Sequence, residues 1–331
     1  MPDHDALDRE EMIPQYPEAP RVTVIVPAWG VAEHLGEALA SLQGQTMEHW
    51  QAIVVDDGDA AAVAGAVAPF SDDPRIRLLV TDNAGASTAR NRGIATAQTP
   101  FVSMLDGDDR YRPDYLERML AAAEAAPEIG FVTCDARMFG IPEFEGRIFS
   151  ESHPQQGEIM LERVIRREVY VFGSCLVRRE ALAQVGGYDP QLRAAEDLDL
   201  WIRILAAGWQ AALVPLPLVE YRRRAGSLSA DTLLLARADR QMYTKTVAAL
   251  AGRPEQEAAR AMLARCDNAL NIEEGLEAIA AGRTREGLAM IRDSDLPRRS
   301  RKWRLAMAAF RVVPALAGPA LRLYIRRHPF G

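Results

Sequence analysis

From Val22 onward, short runs rich in β-branched residues alternate with segments whose apolar residues recur at helical spacing. This alternation limits the fold more than any other feature of the chain. VTVIVPA (22–28), QAIVVDD (51–57), IRLLVTD (76–82), FVSMLD (101–106) and IGFVTCD (129–135) read as strands. Between them, residues 33–45 carry Leu35, Leu39 and Leu42 on one helical face, and further helices are expected from Ala60, over 86–97, and from Pro113 to about Ala125. Buried strands separated by crossover helices predict an α/β fold, a doubly wound and mostly parallel sheet with flanking helices. Such sheets bind ligands beyond the carboxyl ends of their strands. The residues to inspect there are Trp29, Asp56, Asp57, Asp82, Asn83 and Asp106 to Asp109, and three of these strand ends carry carboxylates.

Beyond Arg137 the pattern is broken by proline and glycine as far as Tyr170, after which VFGSCLV (171–177) reads as another strand. Leu198, Trp201, Ile202 and Leu205 mark an amphipathic helix opening at Glu196-Asp197 and ending near Gly208. After LVEYRRRAGSLS (218–229) the pattern is helical to the end, which sets a boundary near Asp231. The organisation expected is a lead-in over 1–20, an α/β domain over 21–230, and a helical C-terminal region over 231–331.

The chain carries a net charge of −7, which argues against nucleic-acid binding. Cys134, Cys175 and Cys266 are too scattered for a disulfide framework or a zinc cluster and read as small buried hydrophobes. MPDHDALDREEM lacks the apolar core of a signal peptide, and no stretch has the roughly 18 apolar residues of a spanning helix. A cytoplasmic protein is expected. The segment 298–327 contains no acidic residue, and its helical wheel sets Trp303, Phe310, Leu321 and Tyr324 beside a stripe of Arg304, Arg311, Arg322 and Arg326. Pro314 and Pro319 interrupt that helix. Such a tail suits peripheral contact with the inner face of an anionic membrane, and packing on the core with solvated arginines is the other reading.

LDGDD (105–109) carries the strongest chemical signal. In extended backbone Asp106 and Asp108 would project the same way, and Gly107 would leave room for a ligand. Mn2+ or Mg2+ binds oxygen donors and often takes only one or two carboxylates plus substrate phosphates. A polar turn is the competing reading, because Asp and Gly dominate turns. The Gly and Glu positions exclude an EF-hand. Asp57 is placed to accept from a base or a ribose hydroxyl, or to cap the helix near Ala60. In TDNAGASTARNRG (81–93) small residues permit close backbone approach, and Arg90 and Arg92 are candidates for phosphate contact or for a solvated helix face. Asp197 near a helix N-terminus is favoured as a carboxylate and can serve as general base, although acids are common there for helix stability alone.

Taken in order, VTVIVPAW, IVVDDG, NAGASTARNRG, FVSMLDGDDRYRPDYLE and GGYDPQLRAAEDLDLWIRIL resemble the family 2 inverting glycosyltransferases of the GT-A fold, from about Val22 to Ser229. The resemblance implies a nucleoside-diphosphate-sugar donor, most simply a UDP-sugar, bound by Pro27, Trp29, Asp57, Asn83, Arg90, Asp106 and Asp109. It implies Mn2+ or Mg2+ on Asp106 and Asp108, and Asp197 as the base that deprotonates the acceptor hydroxyl. Glu196 and Arg224 are assigned to acceptor binding or support. The acceptor implied is a glycan or a lipid-linked sugar in surface polysaccharide or glycolipid assembly. Four positions depart from the family pattern: Gly30 stands where Asn is usual, Asp59 and Ala60 replace Ser and Asp, and Arg224 stands where a His is frequent. Arg224 can pair with phosphate but cannot ligate a metal. A degenerate nucleotide-sugar-binding protein is the alternative reading. A dehydrogenase lacks support, because PAWGVAEHLG is not the G-x-G-x-x-G fingerprint.

Overall fold

The computed structural model describes residues 19–224, 231–295, 301–313 and 318–319. Eight strands form one sheet in the order β3-β2-β1-β4-β7-β6-β8-β5. They are β1 (Val22–Ala28), β2 (Trp50–Asp57), β3 (Ile76–Thr81), β4 (Phe101–Met104), β5 (Arg110–Tyr111), β6 (Ile129–Phe139), β7 (Leu176–Arg178) and β8 (Gln210–Arg222). The helices are α1 (Ala32–Gln43), α2 (Ala60–Val67), α3 (Ala86–Thr96), α4 (Tyr115–Ala123), α5 (Leu161–Ile165), α6 (Arg179–Val185), α7 (Glu196–Ala206), α8 (Thr232–Ala249), α9 (Gln256–Ala280), α10 (Thr284–Asp293) and α11 (Arg301–Val312).

The first half is parallel. β1 lies between β2 and β4, with Val22 opposite both Trp50 and Phe101. Side chains alternate across a strand, so β1 and β2 serve two cores at once. Val22, Val24, Val26, Ala52 and Val54 face α1 and α4, where Leu35, Leu39, Leu42, Leu116 and Met119 cover them. Ile25, Ile53 and Val55 face the opposite layer, with Ala89 of α3 and Leu200, Trp201 and Ile204 of α7. Burial on both faces makes these strands near-continuous apolar runs, interrupted within β1 and β2 only by Thr23 and Gln51 before the acids that end β2.

The second half is mixed. The short antiparallel strand β7 is inserted between β4 and β6. Residues 171–175, expected to be part of that strand, are loop, and only Leu176–Arg178 pair. β8 was not anticipated at all. It contains Pro215 and Pro217, which cannot donate to a ladder. The pairing with β6 survives through register shifts around Asp135, opposite the proline stretch.

The helices after Asp231 share the sheet's second core: Met242 and Tyr243 of α8 and Ala259 and Met262 of α9 lie in it. Asp231 caps α8 by accepting from the Leu234 N–H at 2.9 Å. In α11, Trp303 and Phe310 turn inward onto Ile279, Leu288 and Ile291, the packed arrangement rather than an outward aromatic edge. Leu321, Arg322, Tyr324 and Arg326, and most of the lead-in, lie outside the described residues. No helix among the described residues is long and apolar enough to cross a membrane. All three cysteines are buried thiols.

Candidate functional site

The carboxyl ends of β1, β2 and β4 open toward the start of α7 and the end of β8. At β1, Trp29 is 62% exposed and Pro27 is half-buried. Gly30 follows with a φ of +63°, in the left-handed region. Asn and Gly are the residues that adopt that region most readily, so Gly30 can replace Asn without loss of backbone shape.

At the end of β2 the two acids divide their work. Asp56 accepts from the Gly58 and Asp59 N–H groups at 3.0 and 2.8 Å and shapes the turn into α2. Asp57, 2% exposed, accepts from the Ala84 and Gly85 N–H groups, both at 2.9 Å, and so pins the loop that leads into α3. Asn83 is exposed beside it, with its Cβ directly above Gly58.

Asp106 to Asp109 form a turn closed by the Asp109 N–H on the Asp106 carbonyl at 2.9 Å, not an extended segment. Gly107 has a packing role rather than a ligand-binding one: a Cβ there would lie 2.8 Å from Val31 Cγ2 and 3.0 Å from the Pro27 carbonyl. The turn therefore locks against the end of β1. β8 grips its other side, with the Arg222 N–H donating to Asp109 Oδ1 and Arg222 Nε to the Asp108 carbonyl, both at 2.8 Å. Burial, with Asp106 and Asp108 nearby, pushes the Asp109 carboxyl well above the usual carboxylate range.

Two arginines hold the outer acids. Arg224 Nε donates to Asp108 Oδ2 at 2.9 Å. Burial and the neighbouring Asp106 raise the Asp108 carboxyl, and Arg224 opposes them. Arg90 is the hub of the site. Its side chain is 8% exposed, its Nη2 donates to Asp106 Oδ1 at 2.9 Å, and its Nη1 donates to Glu196 Oε1 at 2.8 Å. Its guanidinium lies 5.3 Å from the centre of the Tyr188 ring. Both terminal nitrogens are thus engaged by carboxylates rather than presented to a phosphate. Glu196 is correspondingly an ion-pair partner. Arg92 donates to the Asp82 carbonyl at 2.7 Å, a tie from α3 back to the loop that precedes it.

Asp197 follows in the first turn of α7. The helix starts after Ala195, a non-glycine residue in left-handed conformation (φ +58°), the kind of strain held at functional sites. Burial pushes the Asp197 carboxyl up to about 7. Arg90, and secondarily the Tyr188 hydroxyl, favour its ionised form, while Glu196 and Asp106 oppose it. Gly173 flanks it so closely that a Cβ would sit 2.7 Å from Asp197 Oδ2. Asp199, the third acid of the helix, is buried against Arg203 and Lys245 and belongs to the scaffold. Gly173 and Tyr188 were not among the expected site residues. Tyr188 sits in the GGYDP turn, which carries a turn signal and no chemical one.

Five carboxylates (Asp106, Asp108, Asp109, Glu196, Asp197) thus share the site with three guanidiniums (Arg90, Arg222, Arg224). The excess of carboxylates over guanidiniums, with carboxyls raised first by burial and then by their acidic neighbours, suits a divalent cation. Among the described residues no three His, Cys, Asp or Glu side chains are grouped to hold a metal by themselves. Each arginine takes one oxygen of its carboxylate, Oδ1 of Asp106 and Oδ2 of Asp108. Such a donor set fits a cation whose coordination is completed by a substrate's phosphates.

Comparison with known proteins matches residues 23–186 to the family model for glycosyl transferase family 2. The succinoglycan biosynthesis protein ExoO of Rhizobium meliloti (strain 1021) is 33% identical over 232 residues, covering 65% of this chain and 64% of its own length. The chain therefore spans just under two thirds of that relative. TarS 1–349 of S. aureus, solved with UDP-GlcNAc, superposes with a TM-score of 0.62 at 16% identity, covering 82% of this chain and 79% of that one. The mannosyltransferase PcManGT of Pyrobaculum calidifontis, solved with GDP-Man and Mn2+, gives 0.57 at 20% identity, covering 91% and 88%. At these identities the structural likenesses establish the GT-A fold.

Proposed function

Because the chain belongs to glycosyl transferase family 2 through residues 23–186, we propose that it is an inverting transferase. It moves a sugar from a nucleoside-diphosphate-sugar, in the first instance a UDP-sugar, to the hydroxyl of a glycan or lipid-linked acceptor. ExoO is a succinoglycan biosynthesis protein, TarS binds UDP-GlcNAc and PcManGT binds GDP-Man with Mn2+, which supports surface-polysaccharide assembly, a nucleotide-sugar donor and a divalent metal. The observation that carries the reading is the Arg90 bridge. One buried guanidinium ties the β4 turn to the first turn of α7, and Asp197 adjoins that tie.

In this reading Trp29 stacks on the nucleotide base, and Pro27, Asp57 and Asn83 form the floor of the base and ribose site. Asp106 and Asp108 would hold Mn2+ or Mg2+. When bound, that ion supplies charge neutralisation for the departing diphosphate. Asp109 and Arg222 fix the turn that carries these acids. Asp197 takes the acceptor's proton as its oxygen attacks the anomeric carbon from the side opposite the leaving group. A carboxyl near 7 is matched to that work, because a base is most effective when its pKa lies near the operating pH. Arg90 and Glu196 position Asp197, and Arg224 holds Asp108.

The alternative, a donor-binding protein without turnover, draws on the Arg224–Asp108 pair, which occupies one oxygen of a candidate metal ligand. Incubation with a panel of nucleotide sugars and Mn2+, following nucleoside-diphosphate release, separates the two. Slow hydrolysis of one donor supports the transferase. Donor binding without release under any condition overturns it.

A further inference from the structure

The C-terminal helix α11 presents an apolar stripe that faces away from the protein. Trp303 and Phe310 face inward on Ile279, Leu288 and Ile291. Leu305, Ala308, Ala309 and Val312 recur at helical spacing on the opposite side, and all four are exposed. Leu305 is 73% exposed and Val312 81%, and Val313 just beyond adds another exposed apolar side chain. Single exposed apolar residues need no explanation, but a contiguous stripe along one helix does.

Charge identifies the occupant. Residues 296–331 contain nine Arg and Lys and no Asp or Glu. Removing those nine charges from the total of −7 leaves −16 on residues 1–295. An acidic body with a wholly basic terminus is built to be repelled by anionic surfaces except at that terminus. A second copy of this chain would bring its own basic segment against this one. A bilayer containing anionic lipid accepts both the apolar stripe and the cations.

We propose that α11 docks on an anionic membrane surface, with Leu305, Ala308, Ala309 and Val312 entering the acyl boundary and Arg304 lying at the headgroups. Trp303 and Phe310 hold the helix to α9 and α10. The aromatic pair is therefore the protein-facing anchor and the aliphatic stripe the lipid-facing one. The inference stands apart from the catalytic reading, since a membrane-docked protein without transferase activity would keep this surface.

The test uses the full chain in co-sedimentation with vesicles of phosphatidylcholine containing about one-third phosphatidylglycerol, against phosphatidylcholine alone. Binding is expected only with the anionic lipid and is expected to fall with added salt. The double variant Leu305→Glu/Val312→Glu should lower partitioning by at least about tenfold with an unchanged melting temperature, because both side chains are solvent-facing. Arg304→Gln should lower it about fivefold. Wild-type protein left in the supernatant with anionic vesicles would overturn the proposal, as would a double variant that binds as well as wild type. So would a lipid-free dimer that the double variant converts to monomer, since a second copy would then own the stripe.

Discussion

Replacing Arg90 with methionine removes a single positive charge and should disturb both folding and catalysis. The guanidinium is 8% exposed and makes charge-assisted bonds of 2.8 Å to Glu196 and 2.9 Å to Asp106. Hydrogen bonds to charged groups contribute about 1.5–3 kcal/mol each, and orphaning one partner of a buried pair costs about 3–5 kcal/mol. Glu196 is 15% exposed and keeps most of that value, whereas Asp106 is 45% exposed and its share shrinks with solvent screening. A net loss of about 2–4 kcal/mol follows, which for a chain of this size is a fall of roughly 3–6 °C in melting temperature. Catalysis shifts in a definite direction. Arg90 is the main influence holding down the Asp197 carboxyl, so its loss raises that group further. The base works only when ionised, so the rising limb of kcat/KM, expected near pH 7 in the wild type, should move to higher pH in Arg90→Met. Scanning fluorimetry and nucleoside-diphosphate release from pH 5 to 9 read the two effects. A variant with wild-type melting and an unmoved pH profile would refute the bridge as a positioning device.

Asp197→Asn should lower kcat by about 10²–10⁴-fold while donor affinity by calorimetry stays within about threefold of wild type. Asp108→Ala should weaken nucleoside-diphosphate binding in Mn2+, and equal affinity in both proteins would remove Asp108 from the metal site. Gly173→Ala places a methyl 2.7 Å from Asp197 Oδ2, so kcat should fall at least about tenfold through displacement of the base. Donor binding, read in the same samples, should not change.

The first half of the fold was legible because its strands are buried on both faces and its helices on one. Both patterns are local, and β1, β2 and β4 with α1, α3 and α7 fall within about two residues of their expected positions. β8 was hidden by Pro215 and Pro217, which argue against a strand unless it bulges around them; β8 does so, running from Val214 to Pro217 while its partner β6, some 80 residues earlier, runs only from Cys134 to Asp135. The insertion of β7 between β4 and β6 is likewise a tertiary outcome. Within the site, residue types were readable at Asp57, Asp106, Asp108 and Asp197, but their engagements were not. Arg90 was readable as a phosphate contact or as a solvated helix-face residue, and its burial between two acids, 16 and 106 positions away in the chain, rules out the solvated reading. Gly107 looked like room for a ligand, and that room is occupied by Val31 and Pro27. Arg224, noted for what it replaces, proves to be the partner of Asp108.

A single base at Asp197 acting opposite the leaving group has one stereochemical consequence. Proton NMR of the product's anomeric centre, recorded before mutarotation or a second transfer, tests it directly. An α-linked donor should give a β-linked product. Retention would contradict the account, because it needs a second group on the other face of the sugar, a role that the base assigned here does not fill.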